Sequence, residues 1–225
     1  MFQETKSHEV TVDIVIFTIR KKNLEVLLVQ RGHEPYRDKW AIPGGFIRLS
    51  ENLEEAAKRT LFEKTNVKDV YLEQLSSFGD PGRYPNARVI TVTYFALIRS
   101  DELKLAYNLN LDIQQVSWHS VYNLPELAFD HKIILNHAIR KLRDRLEYTP
   151  VAFQLLPKKF TLTELQKTYE LILKVGLDKR NFRKKMMSLG FLNELEEFTK
   201  LSSKRPARLY SFNEESIEDK KGIIA

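Results

Sequence analysis

The 225-residue chain contains no cysteine, which excludes a disulfide framework and any zinc site built on thiolates and fits a reducing compartment. It lacks an apolar run near the roughly 20 residues needed to cross a bilayer. No stretch near its start combines a basic segment, an apolar run and a small-residue cleavage site. A cytoplasmic protein with no membrane partner is the expectation. Repeats and low-complexity segments are absent as well. Acidic residues run short between 158 and 208, where 13 Lys+Arg face 6 Asp+Glu; residues 1–150 carry 21 against 20, and residues 151–225 carry 15 against 10. The net charge of +6 is therefore focused toward the C-terminal end, before an acidic tail at Glu214, Glu215, Glu218 and Asp219 dilutes it. A polyanion partner belongs there if there is one. A hydrophobic share of 43% over this length suffices for one or two packed cores.

The β-branched and aromatic run Val10–Ile19 and the apolar run Leu24–Gln30 read as neighbouring strands joined by a turn at Arg20-Lys21-Lys22-Asn23. A loop through Pro35 and Lys39 leads to Trp40-Ala41-Ile42-Pro43-Gly44-Gly45-Phe46. From Glu51 to Lys64, Leu53, Ala56, Ala57 and Leu61 recur at helical spacing, with Glu55, Arg59 and Glu63 as an i, i+4 ladder, Ser50 or Asn52 as cap and Asn66 as stop. Val70–Phe78 and Val89–Ile98 read as strands around the turn-rich loop Gly79–Arg88, and Ile113–Trp118 as a short strand. Asp130 suits the cap of a helix reaching about Glu147, with Ile133, Ile134, His137, Ala138, Lys141 and Leu142 on one face. This alternation predicts an α/β domain with a mixed sheet between helices. Arg83 and Arg88 suit a phosphate as well as open solvent. No Ser or Cys partner beside His131 marks a nucleophile.

Gly45, Glu51, Arg59, Leu61, Glu63 and Val67 stand at the spacings of the Nudix box, the signature of hydrolases that cleave nucleoside diphosphates linked to another moiety, and the segment resembles it. The Trp40–Phe46 stretch is similar to the lead-in of that family. Thr60, Lys64 and Asn66 replace the Glu, Glu and Gly of the pattern. The family's helix sets carboxylates at i, i+3 and i+4 on one face to hold Mg²⁺. Here that face offers Thr60, Glu63 and Lys64, and an ammonium beside one carboxylate repels a divalent cation. The expectation is a retained scaffold with no catalytic residue, no metal and no cofactor. Phe78–Arg83 and Leu127-Ala128-Phe129-Asp130-His131 resemble the ADP-ribose-type branch, in which the 79–88 loop lies near the ligand. The alternative is an active pyrophosphohydrolase in which Glu51, Glu63 and Glu54 or Glu55 bind metal in an altered way.

Tyr148-Thr149-Pro150 interrupts the long helix, and Pro157-Lys158-Lys159 completes a connection, which divides the chain into residues 1–148 and 149–225. Thr161-Leu162-Thr163-Glu164 has capping-box spacing, and Leu162, Leu165, Tyr169, Ile172 and Leu173 form an apolar stripe ended by Gly176. Asp178 caps a second helix that turns Phe182, Met186 and Leu189 one way and Lys179, Arg180, Arg183 and Lys184 another. Phe191–Leu201 and Ala207–Phe212 pair across a basic loop at Ser202–Pro206. Two helices and a basic-tipped hairpin describe a winged helix-turn-helix domain. Arg180, Asn181 and Arg183 are placed for base edges, and Lys204, Arg205 and Arg208 for phosphates or the minor groove. A protein-interaction module is the alternative use.

From Val10 to Phe212 the chain resembles the NrtR family of Nudix-related transcriptional regulators, which includes arabinose-responsive relatives. Pro43–Phe46, the altered box, Leu127–His131, Phe160–Gln166, Arg180–Lys184 and Lys204–Tyr210 carry that resemblance. It implies a homodimeric repressor that binds double-stranded operator DNA and releases it when a small-molecule effector, ADP-ribose or a related NAD metabolite, or a sugar such as arabinose, binds the Nudix-like domain. The implied effector-binding set is Arg31, Gly44, Gly45, Arg59, Glu63, Arg83, Arg88, Phe129 and His131. The implied DNA-binding set is Lys179, Arg180, Asn181, Arg183, Lys184, Lys204, Arg205 and Arg208.

Overall fold

The computed structural model describes residues 8–66, 68, 70–99, 113–199 and 206–213. Its first unit is built on strands β1 (Glu9–Arg20) and β2 (Asn23–Arg31), antiparallel through Arg20↔Asn23. Lys21 and Lys22 both take positive φ, 47° and 61°. That turn shape matches the right-handed twist of the flanking strands. The short strands β3 (Trp40–Ala41) and β4 (Gly44–Phe46) pair with β2 and β1. After helix α1 (Leu53–Thr65) come β5 (Tyr71–Phe78), β6 (Val89–Leu97) and β7 (Ile113–Ser120). β6 runs parallel to β1 while every other pairing is antiparallel, so the sheet of seven strands is mixed, with the path β3-β2-β1-β6-β5 and β7 joined to β2.

Alternation along β1 and β6 sends Val12, Ile14, Ile16, Val92, Tyr94 and Ala96 to one face, where Ala56, Ala57 and Leu61 of α1 complete the core. Asn52 caps α1 in a full capping box with Glu55, and Asn66 ends it in the left-handed conformation, φ 56°. Glu55 therefore serves the cap, and the i, i+4 pair that remains of the expected ladder is Arg59–Glu63. Helix α2 (His131–Tyr148) buries Ile134, Leu135, Ala138, Ile139 and Leu142, while Ile133 faces solvent. The apolar face is thus rotated from the one the spacing suggested, because Leu135 and Ile139 outweigh Ile133. Asp130 sits at the start of α2, but its carboxylate accepts from Arg83 rather than from the helix.

The chain divides into two compact units within α2, between Lys141 and Leu142. The last turns of α2 belong to the second unit because Leu142 and Leu146 are buried and Arg143 Nε donates to the Ile172 carbonyl at 2.9 Å. The stretch after Pro150 is no open connection either. Val151–Leu155 forms a 3-10 helix whose Phe153 stacks 4.6 Å from Phe212 and lies 5.5 Å from Phe160. Helix α3 (Leu162–Leu173) starts in the expected Thr161–Glu164 capping box. Its end is set by Lys174, at φ 62°, and not by Gly176. Leu177 is tied back to α3 by Gln166 and Glu170, which fixes the turn into helix α4 (Lys179–Ser188). Tyr169 meets Phe182 between the two helices at 5.3 Å. β8 (Leu192–Phe198) and β9 (Arg208–Phe212) form the hairpin, and Phe160 bridges to Tyr210 as its third member.

Candidate functional site

A cavity of about 320 Å³ opens in the first unit between β1, the β4 turn, the end of α1, the 79–88 loop and the start of α2. Backbone hydrogen bonds from Ala128 to Trp40 and from Trp40 to Glu126 hold the Leu127–His131 phrase against β3. Phe129 thereby reaches the cavity at φ 54°, a conformation that a bulky residue adopts only when its surroundings enforce it. Its ring packs against Tyr36 at 4.8 Å and Tyr84 at 5.3 Å, and the Arg31 guanidinium lies 4.8 Å from its centre. His131 is buried; its Nδ1 accepts from the Ile42 N–H at 2.9 Å, which places the ring proton on Nε2. Burial pushes its pKa down to about 3.

The floor of the cavity is ionic. Arg83 donates from Nε and Nη2 to the two Asp130 carboxylate oxygens at 3.0 and 2.9 Å, and its Nη2 lies 3.6 Å from Asp13 Oδ2. All three side chains are largely out of solvent. Desolvation pushes the Asp13 carboxyl up to about 6 against the opposing pull of Thr91 and Arg83. A Cβ on Gly44 would stand 2.0 Å from Asp13 Oδ1, so glycine is required for the chain to pass this carboxylate. The folded state of Asp13 binds a proton up to higher pH than the unfolded one, so its contribution to stability declines as pH rises from about 4 to about 6. Asp13→Asn is accordingly expected to gain about 2–3 kcal/mol relative to the parent chain between pH 4 and pH 7.5, as read by urea denaturation at both values. A pH-independent difference would contradict it. His131 shifts stability the opposite way, but equally in both proteins.

The box helix carries a second ionic cluster. Arg59 clasps Glu51 through Nη2 at 2.6 Å and Nε at 2.8 Å, and holds Glu63 at 3.3 Å; Arg48 also reaches Glu63, at 3.4 Å. The hydrogen bonds from Arg59 hold the Glu51 carboxyl down to about 2. Lys64 lines the cavity, and Thr60, one turn earlier, is buried close to Gly45. Two committed carboxylates beside an ammonium do not suit a divalent cation.

In the second unit, Lys179, Arg180, Asn181, Arg183, Lys184 and Lys185 are exposed along α4, while Phe182 and Met186 are buried. None of Lys179, Arg180, Arg183 and Lys184 forms an ion pair with a described residue. The helix thus offers a basic face that no described acidic residue neutralises.

Residues 7–141 match the family model of the NUDIX domain, and residues 152–212 match that of the NrtR DNA-binding winged helix domain. The ADPR responsive transcriptional repressor NtrR of Acinetobacter baylyi is 40% identical over 204 residues, covering 90% of this chain and 81% of that protein. The chain belongs to the NrtR family. Shewanella oneidensis NrtR, crystallised with a 27mer DNA, superposes with a TM-score of 0.81 at 32% identity, covering 93% of this chain and 95% of the other. The Nudix domain of the same NrtR in complex with ADP ribose gives a TM-score of 0.56 at 35% identity, covering 61% of this chain and 90% of that one.

Of the effector residues expected from the NrtR resemblance, Arg31, Gly44, Gly45, Arg83, Phe129 and His131 line the cavity. Arg59 and Glu63 are placed in the Glu51–Arg48 cluster instead, and Arg88 donates to the Gly79 carbonyl at 2.5 Å, closing the base of its loop. Sequence alone does not bring Asp13 and Tyr84 to the cavity, or Tyr36 to Phe129. Asp13, a lone carboxylate amid the apolar run of β1, carried a readable signal; Tyr36 and Tyr84 meet only through Phe129. Among the expected DNA contacts, Arg208 is paired with Glu194 at 2.5 Å and lies 5.7 Å from the Phe198 ring. Lys204, Arg205 and the box's Val67 lie outside the described residues.

Proposed function

We propose that the chain is a transcriptional repressor: the second unit holds an operator through α4, and ADP-ribose bound in the cavity of the first lowers that hold. The observation that carries this reading is the pairing, in one chain, of an open basic helix with an aromatic and cationic cavity whose box presents Thr60 and Lys64 where carboxylates would hold metal. The likeness to the ADPR responsive repressor of Acinetobacter and to the DNA and ADP ribose complexes of Shewanella NrtR supports both halves, and favours ADP-ribose over a sugar. In this reading Phe129 and Arg31 offer a flat surface to the ligand, and His131 a neutral N–H donor. Arg180 and Arg183 face base edges, and Lys179, Lys184, Lys204 and Arg205 face phosphates. The protein works in the cytoplasm as a homodimer. Two copies of α4 read half-sites about one helical turn apart. No helix among the described residues is long and apolar enough to cross a membrane.

The cavity does no chemistry in this reading, because a sensor that consumed its signal would erase it. Linkage then requires the effector to weaken DNA binding by the same factor by which DNA weakens effector binding. In a gel-shift titration, ADP-ribose is expected to release the operator while L-arabinose leaves it bound, and chromatography of the same mixture with Mg²⁺ is expected to recover ADP-ribose intact. Release of AMP at an enzymatic rate would support the hydrolase reading. DNA binding indifferent to ADP-ribose would refute the coupling.

A further inference from the structure

We propose that Lys64 takes the place of a metal ion in the cavity, so that the diphosphate of the effector is bound by a charge belonging to the chain and needs no divalent cation. The inference rests on the reading of the cavity as an ADP-ribose site. Lys64 lies in the last turn of α1 and lines the same cavity as Gly45 and Phe46. One helical turn earlier, the Thr60 hydroxyl is buried without a hydrogen-bond partner among the described residues, 3.5 Å from the position a Cβ on Gly45 would take. A buried hydroxyl left so is a donor in search of an acceptor.

The surrounding charges favour an anion. Among the lining residues Asp13 is the one carboxylate, and Arg83 stands beside it, whereas Lys64 and Arg31 bring positive charge. The carboxylates nearest in the box are already engaged, Glu51 by Arg59 and Glu63 by Arg59 and Arg48. A diphosphate ester brings two negative charges. An ammonium is a compact point charge with three donors that suits phosphate oxygens without a fixed fork geometry. The same Lys64 that repels Mg²⁺ therefore supplies what Mg²⁺ would supply in binding, and nothing that would activate a water.

Calorimetric titration of the full chain with ADP-ribose tests this, once in EDTA and once in excess Mg²⁺. The parent chain is expected to bind equally in both, Lys64→Met to bind 10- to 100-fold more weakly in both, and Lys64→Arg to stay within a few-fold of the parent. Lys64→Met is also expected to flatten the salt dependence of binding, which a merely structural role would leave unchanged. Binding by the parent that requires Mg²⁺, or an unchanged affinity of Lys64→Met, would overturn the inference and leave the effector reading standing. No binding by the parent in either buffer would overturn both. The comparison of buffers uses the parent chain alone, so it decides even if a variant fails to fold.

Discussion

Replacing Arg180 and Arg183 together by alanine is expected to weaken operator binding by two to three orders of magnitude while leaving the thermal midpoint unchanged. Each side chain is exposed on α4, so truncation removes no packing from Phe182 or Met186 and surface substitutions of this kind shift stability by only about 0.5 kcal/mol. An arginine that reads a base edge contributes about 1–3 kcal/mol of discrimination. Two such losses at separate base pairs add approximately. Lys179→Ala should behave differently, weakening all DNA sequences alike and lowering the salt slope by about one counterion. Gel shifts on specific and scrambled duplexes separate the cases. An unchanged affinity in the double variant would remove α4 from the interface and favour the use of the winged module as a protein adaptor.

The largest effect on stability is expected at Arg83. Arg83→Met keeps much of the side-chain volume but leaves Asp13 and Asp130 buried without their counter-ion, and breaking a buried pair in this way costs about 3–5 kcal/mol. The expected loss is greatest at pH 7.5, where Asp13 is ionised, and smaller at pH 5, where a carboxyl titrating near 6 holds its proton. Adding Asp13→Asn to the variant should recover part of the loss, because the two substitutions act on one cluster and do not add. Urea denaturation at the two pH values measures each outcome. A cost below about 1 kcal/mol at pH 7.5 would mean that the triad is solvated in solution and that Arg83 is available to a ligand phosphate after all.

Much of the architecture was legible from local chemistry. The hairpin turn at Lys21-Lys22, the Asn52 and Thr161 caps, the Asn66 stop and the Asp178 cap each depend on residues within about four positions of one another. So does the buried and exposed division of α4. Local signals mislead where they compete with one another. Gly176 is the more obvious stop, yet Lys174 takes the left-handed position because Leu177 must reach Glu170 and Gln166. Pro150 and Pro157 mark a connection by composition, yet Phe153 between them is core.

The sequence by itself determined the order of elements, the loss of carboxylates at Thr60 and Lys64, and the basic helix after Asp178, because each is written in residues close along the chain. Only the tertiary structure decided which side chains each of these cations meets. Arg83, 47 residues from Asp130, is drawn into the cavity floor as the counter-ion of two buried carboxylates, and Arg59 is spent on Glu51 and Glu63. Arg31, which donates to the Pro35 carbonyl and lies over Phe129, and Lys64 both line the cavity wall. Charge and spacing make these four cations alike in sequence. What separates them is the cost of burying a carboxylate unpaired, which is set by neighbours brought together only when the sheet and its helices close.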